Sequence, residues 1–144
     1  MNTTVRFALN KDFESVWPLF KQLWPNKILN QNELSKVFNR GIISDSDVLL
    51  ILELDNNVIG FCAYAIMNNL WQEGYISYIY AMVIDEKYRG KGYGSNLLQE
   101  AINKSREHGM KRVELDSGFP REKAHRFYEK FGFEKRAYLF SYTL

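Results

Sequence analysis

The segment Arg89–Ser95 combines glycines at positions 90, 92 and 94 with the cationic side chains of Arg89 and Lys91. Glycine lacks a Cβ, so a bound group can approach its backbone closely. An amphipathic helix is expected to follow, and the free N–H groups at a helix N-terminus favour anions through hydrogen bonds and the helix dipole. This glycine-rich segment therefore predicts a site for the pyrophosphate of a phosphate-bearing cofactor.

The spacing of the glycine-rich segment bears on three other interpretations. A Walker loop needs four residues between its first glycine and a Gly-Lys-Ser/Thr triplet, and this spacing is absent. A dinucleotide fingerprint needs Gly-x-Gly-x-x-Gly within a parallel βαβ unit, whereas these glycines alternate and follow strands that pattern as antiparallel hairpins. A tight turn without a ligand remains open from the spacing alone.

The pattern of apolar residues predicts the elements that position this segment. Strands are expected at Thr4–Ala8, Val48–Leu54, Val58–Met67, Tyr75–Ile84, Arg112–Asp116 and Phe133–Thr143. Helices are expected over Phe13–Leu23, around Leu34–Phe38 up to Gly41, along Leu97–Ile102 up to Gly109, and over Ala124–Phe131. Pro18 is expected to kink or split the first helix. The order β-α-α-β-β-β-α-β-α-β predicts an α/β fold with a mixed sheet and helices on its faces.

Length and composition predict one folded domain over residues 1–144, with 46% hydrophobic and 15% aromatic residues, which excludes disorder. The net charge of +2 disfavours a nucleic-acid binder. Cys62 is the single cysteine, so no internal disulfide can form. No apolar run suits a membrane span or a signal peptide. We therefore expect a cytoplasmic protein with neither nucleic-acid nor membrane partners.

Two motifs in this chain resemble signatures of the GNAT acyltransferase superfamily. Val83–Gly94 resembles the acetyl-CoA signature, whose core is Arg/Gln-x-x-Gly-x-Gly/Ala. Ala124–Phe133 resembles the second signature, A-x-x-φ-Y-x-x-x-G-F. The motifs follow the family's order, and the likeness covers nearly the whole chain. It implies the GNAT fold, a central mixed and mostly antiparallel sheet with helices on both faces, and acetyl-CoA as co-substrate.

The resemblance also implies how acetyl-CoA is held. Backbone N–H groups of the glycine-rich segment would bind the pyrophosphate, assisted by the Arg89 and Lys91 side chains. A bulge before the loop would expose Met82–Ile84, which would pair with the pantetheine arm like an added strand and offer an N–H to the developing oxyanion. The cofactor-binding residues implied are Met82, Val83, Ile84, Arg89, Gly90, Lys91, Gly92, Tyr93, Gly94 and Ser95. No metal site is predicted.

The resemblance implies one catalytic residue and leaves open which group removes the proton from the acceptor amine. Tyr128 occupies the position of the acid that protonates the leaving thiolate, although an aromatic residue on a helical stripe also suits a core. Relatives often carry a glutamate on the strand before the loop, where this chain has Tyr78 and Tyr80. The alternatives for the base are a water relay, an acceptor with a low pKa, or a group from Glu73, Asp116 or His125.

The acceptor is expected to be the primary amine of a small molecule. Its pocket could use the aromatic residues Trp17, Trp24, Trp71, Tyr75, Tyr78 and Tyr80, with Glu73 and Asp45 as counter-ions. Within the superfamily, the tail Glu114–Leu144 most resembles members that acetylate small amines such as aminoalkylphosphonates. Acetylation of a protein or peptide amine and a non-catalytic acyl-CoA sensor are the alternatives. The oligomeric state is left open, with a homodimer among the alternatives.

Overall fold

The structure is a computed structural model and describes residues 2–144. It divides into two compact units, a larger one that ends at Glu114 and a smaller one, Leu115–Leu144. That residues 1–144 form a single domain stays a prediction. No helix in residues 2–144 has both the length and the apolar character needed to cross a membrane.

The larger unit contains all but the last residue of a sheet with strand order β1-β2-β3-β4-β5. The strands are β1 (Thr3–Phe7), β2 (Asp47–Leu54), β3 (Asn57–Asn69), β4 (Gly74–Ile84) and β5 (Val113–Leu115). The helices of this unit are α1 (Phe13–Leu23), α2 (Gln31–Ile43) and α3 (Tyr93–Glu107). β1 to β4 pair in succession as antiparallel neighbours.

β5 returns beside β4 after the α3 crossover. The Lys111 N–H donates to the Tyr75 carbonyl at 2.8 Å, and the Ser77 N–H donates to the Arg112 carbonyl at 2.9 Å. Both chains advance in the same direction through these bonds, so β4 and β5 are parallel. The sheet is therefore mixed and mostly antiparallel, which confirms the predicted fold class.

Alternate residues of the sheet face different helices. Phe61 and Ala63 of β3 belong to a buried cluster with Val16 and Phe20 of α1 and Phe38 of α2. On the other face, the hydroxyls of Ser77 on β4 and Ser105 on α3 lie 2.7 Å apart, and both residues are buried. Helices thus cover both faces of the sheet.

Two local expectations about the helices are corrected by the structure. α1 runs unbroken through Pro18, which faces solvent, so the predicted split does not occur. The buried stripe of Val16, Leu19 and Phe20 stabilises the helix against the missing hydrogen bond. α2 extends beyond Gly41, and it begins after Asn30, whose side chain accepts a hydrogen bond from the Glu33 N–H at 3.0 Å.

The smaller unit contains α4 (Glu122–Phe131), which ends at Gly132 with a φ of 124°. The strand predicted over Phe133–Thr143 is wrong, because the described structure has no regular element there. Apolar residues run consecutively from position 137 to 140, so they do not define one buried face as a strand requires. Tyr138 and Phe140 are instead 74% and 92% exposed.

Candidate functional site

β4 leads into the glycine-rich segment and contains a β-bulge. Ala63 pairs with Ala81, whereas Tyr64 pairs with Ile79, so Tyr80 is an extra residue on β4. A bulge locally bends its strand and interrupts the ladder. This places an irregularity just before Met82–Ile84, where the family resemblance led us to expect one.

Met82–Ile84 extend past the short neighbour β5. The β4–β5 hydrogen bonds begin at Tyr75 and Ser77, and β5 itself has 3 residues against 11 in β4. Parallel strands advance in step, by about 3.3 Å per residue, so β5 ends near the bulge. An extended ligand with amide groups could therefore add beside Met82 and Val83.

The Arg89 side chain links the glycine-rich segment to β4 and α1 by hydrogen bonds. Its Nε donates to the Ile84 carbonyl oxygen at 2.8 Å, and its Nη2 donates to Oε1 of Gln22 at 3.3 Å. Gln22, on α1, also accepts a hydrogen bond from the Glu86 N–H at 2.9 Å. The Arg89 guanidinium thus contacts protein atoms at the base of the loop. Its assistance in binding the pyrophosphate stays a prediction.

Gln22 was missed by the sequence analysis. Its amide reaches three residues of the β4–α3 connection, because Nε2 also donates to Oδ1 of Asp85 at 3.4 Å. A glutamine on the polar side of an amphipathic helix gives no local signal of such a role. Asp85 did carry a signal, since an aspartate at a turn can cap it, and here it accepts from the Lys87 N–H at 3.2 Å.

Gly90 and Gly92 both adopt the left-handed backbone conformation, with φ values of 77° and 89°. A Cβ built at either position would meet no protein atom within 4 Å. Packing within the protein therefore does not demand glycine here, whereas the backbone conformation does. The absence of side chains also leaves both peptide backbones accessible, as contact with a pyrophosphate requires.

The N-terminus of α3 supplies hydrogen-bond donors beside these glycines. Gly92 is its N-cap and has no side chain to cap the helix, and the first intrahelical bond runs from the Asn96 N–H to the Gly92 carbonyl at 3.1 Å. The N–H groups of Tyr93, Gly94 and Ser95 consequently have no carbonyl partner within the helix. Lys91 adds a positive charge, its Nζ lying 6.0 Å from the centre of the Tyr88 ring. These donors and this charge fit a pyrophosphate.

Tyr128 lies on α4 in the smaller unit and is half-buried. Its ring contacts Phe127 and Phe133 at centroid distances of 5.2 and 5.7 Å. The N–H groups of Gly132 and Phe133 donate to its carbonyl at 3.1 and 2.9 Å, which closes the helix. The general-acid role of Tyr128 stays a prediction.

The three side chains considered as bases have different surroundings. The Glu73 and Asp116 residues are exposed, and Glu73 occupies a turn with a φ of 56°. The Nε2 of His125 lies 2.9 Å from the Gly118 carbonyl and 3.3 Å from the Ser117 carbonyl. Carbonyl oxygens only accept, so Nε2 carries a proton in this arrangement.

Tyr80 has a carboxylate partner that the sequence analysis did not predict. Its hydroxyl donates to Oδ1 of Asp47 at a distance of 2.7 Å. Partial burial of Tyr80 and its hydrogen bond to Asp47 raise the pKa of the phenol well above its ordinary value. A carboxylate is thus coupled to the β4 bulge even though β4 carries none.

Only part of the predicted aromatic pocket is assembled. Trp17 and Trp24 line one shallow pocket of about 190 Å³, together with Lys21, Pro25, Lys27 and Leu29. Trp71 and Tyr75 are 76% and 54% exposed. The pocket contains two lysines, so its charge favours an anionic group more than a cation.

Comparisons with known proteins agree with this architecture. A family model described as "Acetyltransferase (GNAT) family" matches residues 11–133. An aminoalkylphosphonate N-acetyltransferase of Salmonella typhimurium is 29% identical over 141 residues, which cover 97% of this chain and 90% of that protein. The crystal structure of a GNAT family acetyltransferase of Staphylococcus aureus superposes with a TM-score of 0.82 at 26% identity, covering 100% of both chains. An aminoglycoside N-acetyltransferase solved in complex with CoA has the same fold, with a TM-score of 0.86 at 17% identity over 99% of this chain and 95% of that one.

Proposed function

The chain belongs to the acetyltransferase (GNAT) family of acyltransferases, and we propose that it transfers the acetyl group of acetyl-CoA directly to a primary amine of a small molecule. The β4–loop–α3 junction is the feature that most supports this activity. There, two left-handed glycines and a helix N-terminus without a side-chain cap present backbone donors to one accessible surface. Such a surface suits the pyrophosphate of CoA.

The larger unit contributes two parts to acetyl-CoA binding in this proposal. Backbone N–H groups between Arg89 and Ser95 hold the pyrophosphate, and Lys91 adds a positive charge. The backbone of Met82–Ile84 pairs with the pantetheine amides as an added strand would. The bound thioester then lies beside β4 at its bulge.

The chemistry is a direct displacement. The amine nitrogen attacks the thioester carbonyl carbon, the C–N bond forms and the C–S bond breaks. A backbone N–H of the Met82–Ile84 stretch stabilises negative charge on the carbonyl oxygen. Tyr128 protonates the departing thiolate, because a thiol with an ordinary pKa of about 8.5 is mostly protonated at neutral pH.

A small amine that also carries an anionic group is the acceptor that the described residues favour. The Trp17–Trp24 pocket contains Lys21 and Lys27, and their positive charge favours an anionic group on the acceptor. The Salmonella relative that matches most of this chain bears the name of an aminoalkylphosphonate N-acetyltransferase, and this supports the same acceptor class.

A non-catalytic acyl-CoA sensor is the second candidate function. The sequence of β4 favours it, because β4 has tyrosines at positions 78 and 80 and lacks a carboxylate or histidine that could act as a base.

Incubation with acetyl-CoA and a panel of 2-aminoethylphosphonate, kanamycin, spermidine and an N-terminal peptide distinguishes the candidates. The proposed enzyme releases thiol with a small amine and yields an acetylated product by mass spectrometry. Turnover of the peptide alone would indicate a protein acceptor, and binding without thiol release would indicate the sensor.

A further inference from the structure

We propose that Tyr80 and Asp47 together form the group that accepts a proton from the acceptor amine. The inference rests on the proposed acetyl transfer and names the residues that make the amine reactive. A primary ammonium has an ordinary pKa of about 10.4 and cannot attack a carbonyl until it loses a proton. β4 has no carboxylate or histidine between Tyr75 and Ile84. A carboxylate that takes this proton must therefore come from another element.

The sheet brings Asp47 to Tyr80 across an intervening strand. Asp47 on β2 pairs with Ala65 on β3, and Ala63 on β3 pairs with Ala81 on β4, next to the bulged Tyr80. Directly paired residues share a face of the sheet, and β3 places only alanine methyls at positions 63 and 65. The Tyr80 side chain can therefore span β3, and its hydroxyl reaches Oδ1 of Asp47 at 2.7 Å.

One helix covers the pair, while another side stays open to solvent. A Cβ added to Gly41 of α2 would lie 3.0 Å from Cδ1 of Leu49 and 3.7 Å from the Tyr80 hydroxyl. An added Cβ would crowd Leu49 but only touch the hydroxyl, so α2 lies at contact distance from the Tyr80 hydroxyl. Tyr80 nevertheless remains 42% exposed, and Asp47 is half-buried. An incoming amine and water both have access to the pair.

The position of Tyr80 on β4 suits contact with the reacting atoms. Tyr80 precedes Met82 by two residues, about 7 Å along an extended strand. Met82–Ile84 are the residues proposed to hold the pantetheine arm. The bulge turns the Tyr80 side chain out of the regular ladder, toward the α2 face of the sheet. An amine beside the thioester could therefore touch the Tyr80 hydroxyl.

A proton relay gives the pair its chemical role. Tyr80 alone is a poor base, whereas the Asp47 carboxylate can take its hydroxyl proton as the hydroxyl oxygen takes a proton from the ammonium. The neutral amine then attacks, the C–N bond forms and the C–S bond breaks. Of the two protons that the nitrogen loses, one passes through Tyr80 and Asp47 to water, and the other balances protonation of the thiolate. No oxidant or further reactant is needed.

The Cys62 thiol is a second titratable group near Tyr80, and it does not compete for this proton. Cys62 on β3 is completely buried, and burial raises the pKa of its thiol to about 12. The thiol is therefore neutral wherever the enzyme would work. The Asp47 carboxylate, which accepts the hydrogen bond of the Tyr80 hydroxyl, is the group placed to take this proton.

The test uses the wild-type protein and the substitutions Asp47→Asn, Tyr80→Phe and Asp55→Asn. Asparagine keeps an oxygen that accepts from Tyr80 but cannot take a proton. Asp55 is an exposed carboxylate just beyond the opposite end of β2, and it serves as the matched control. The panel amine that the wild type acetylates fastest is used at pH values from about 7 to 10, the upper end lying near the ordinary ammonium pKa. Acetyl-CoA affinity is measured for each variant.

We expect Asp47→Asn and Tyr80→Phe each to lower kcat by about 10²-fold at neutral pH, the usual lower range for acid–base groups. Acetyl-CoA affinity and Asp55→Asn activity should match the wild type. The loss should shrink toward pH 10, as free amine accumulates, and the double substitution should cost no more than either single one. An Asp47→Asn enzyme as active as Asp55→Asn at every pH would overturn the relay alone. A wild type without thiol release would overturn the proposed function and the relay together.

Discussion

The Nε of Arg89 lies 2.8 Å from the carbonyl oxygen of Ile84, so the residue before the first loop glycine is tied to the last residue of β4. The loop is closed at its base by this contact and attached to α1 through Gln22. Its glycines can consequently hold one conformation while their backbone stays accessible. Rigid presentation of donors lowers the entropy cost of binding an anion.

The first prediction concerns Gly92, which has a φ of 89° and no protein atom within 4 Å of an added Cβ. Gly92→Val should weaken acetyl-CoA binding at least about 100-fold by calorimetry, since two charge-assisted hydrogen bonds at about 1.5 kcal/mol each would be lost. Gly109→Val is the matched control, because Gly109 follows the other end of α3 with a φ of 74° and also has no atom within 4 Å of an added Cβ. Equal losses of affinity in both variants would refute the proposed role of Gly92.

The second prediction separates the charge of Arg89 from its hydrogen bonds. Arg89→Lys keeps the positive charge but loses the fork that reaches Ile84 and Gln22. We expect Arg89→Lys to weaken acetyl-CoA binding about 10-fold, which is a loss of about 1.4 kcal/mol of binding free energy. Arg89→Ala should weaken binding only slightly more. Gln22→Ala should have an effect in the same direction. An Arg89→Lys variant with wild-type affinity would show that only the charge matters.

The third prediction concerns the general acid. Tyr128→Phe retains the ring contacts with Phe127 and Phe133 and removes the hydroxyl. Turnover should fall about 10²–10⁴-fold while acetyl-CoA affinity is unchanged. Tyr138→Phe, in the same unit and 74% exposed, should leave turnover as it is. Near-normal turnover in Tyr128→Phe would assign its hydroxyl no part in the reaction.

The fourth prediction concerns stability and pH. Hydrogen bonds from Arg6 hold the pKa of buried Asp12 below its ordinary value, and Asp12 also accepts from the Leu9 N–H at 2.7 Å. Because the folded state lowers this pKa, the stabilisation is present above the ordinary carboxyl value of about 3.9 and is lost as pH falls below it. Asp12→Asn should therefore cost about 2 kcal/mol of unfolding free energy near neutral pH. Urea unfolding should show this difference shrinking below about pH 4, and a pH-independent difference would contradict the ion-pair explanation.

The parts of the site that lie close together in sequence could be predicted from it. The positive φ values of Gly90 and Gly92 and the helix that begins at Tyr93 follow from residues next to one another. The contact between Tyr80 and Asp47 could not, because it depends on the pairing of three strands and on a bulge that no local pattern specifies. Gln22 and Asp85, 63 positions apart, meet for the same kind of reason.

The mistaken last strand has a related cause. The segment Phe133–Thr143 has strand-forming residues, but its polar run at positions 134–136 and apolar run at 137–140 do not alternate. A strand is specified by what pairs with it and by which face is buried, and neither follows from propensity alone. The helix stripes were predicted more successfully, since Val16 and Phe20 of α1 repeat at helical spacing and are both buried.

Calorimetric titration of the wild-type protein shows whether the glycine-rich segment binds the pyrophosphate of acetyl-CoA. NAD is used in a parallel titration, because it also contains a pyrophosphate but differs from acetyl-CoA in the rest of the molecule. We predict micromolar binding of acetyl-CoA, which also occupies the β4 edge, and no detectable binding of NAD. A protein that does not bind acetyl-CoA would have a glycine-rich segment that is only a turn, and the proposed acetyl transfer would be wrong.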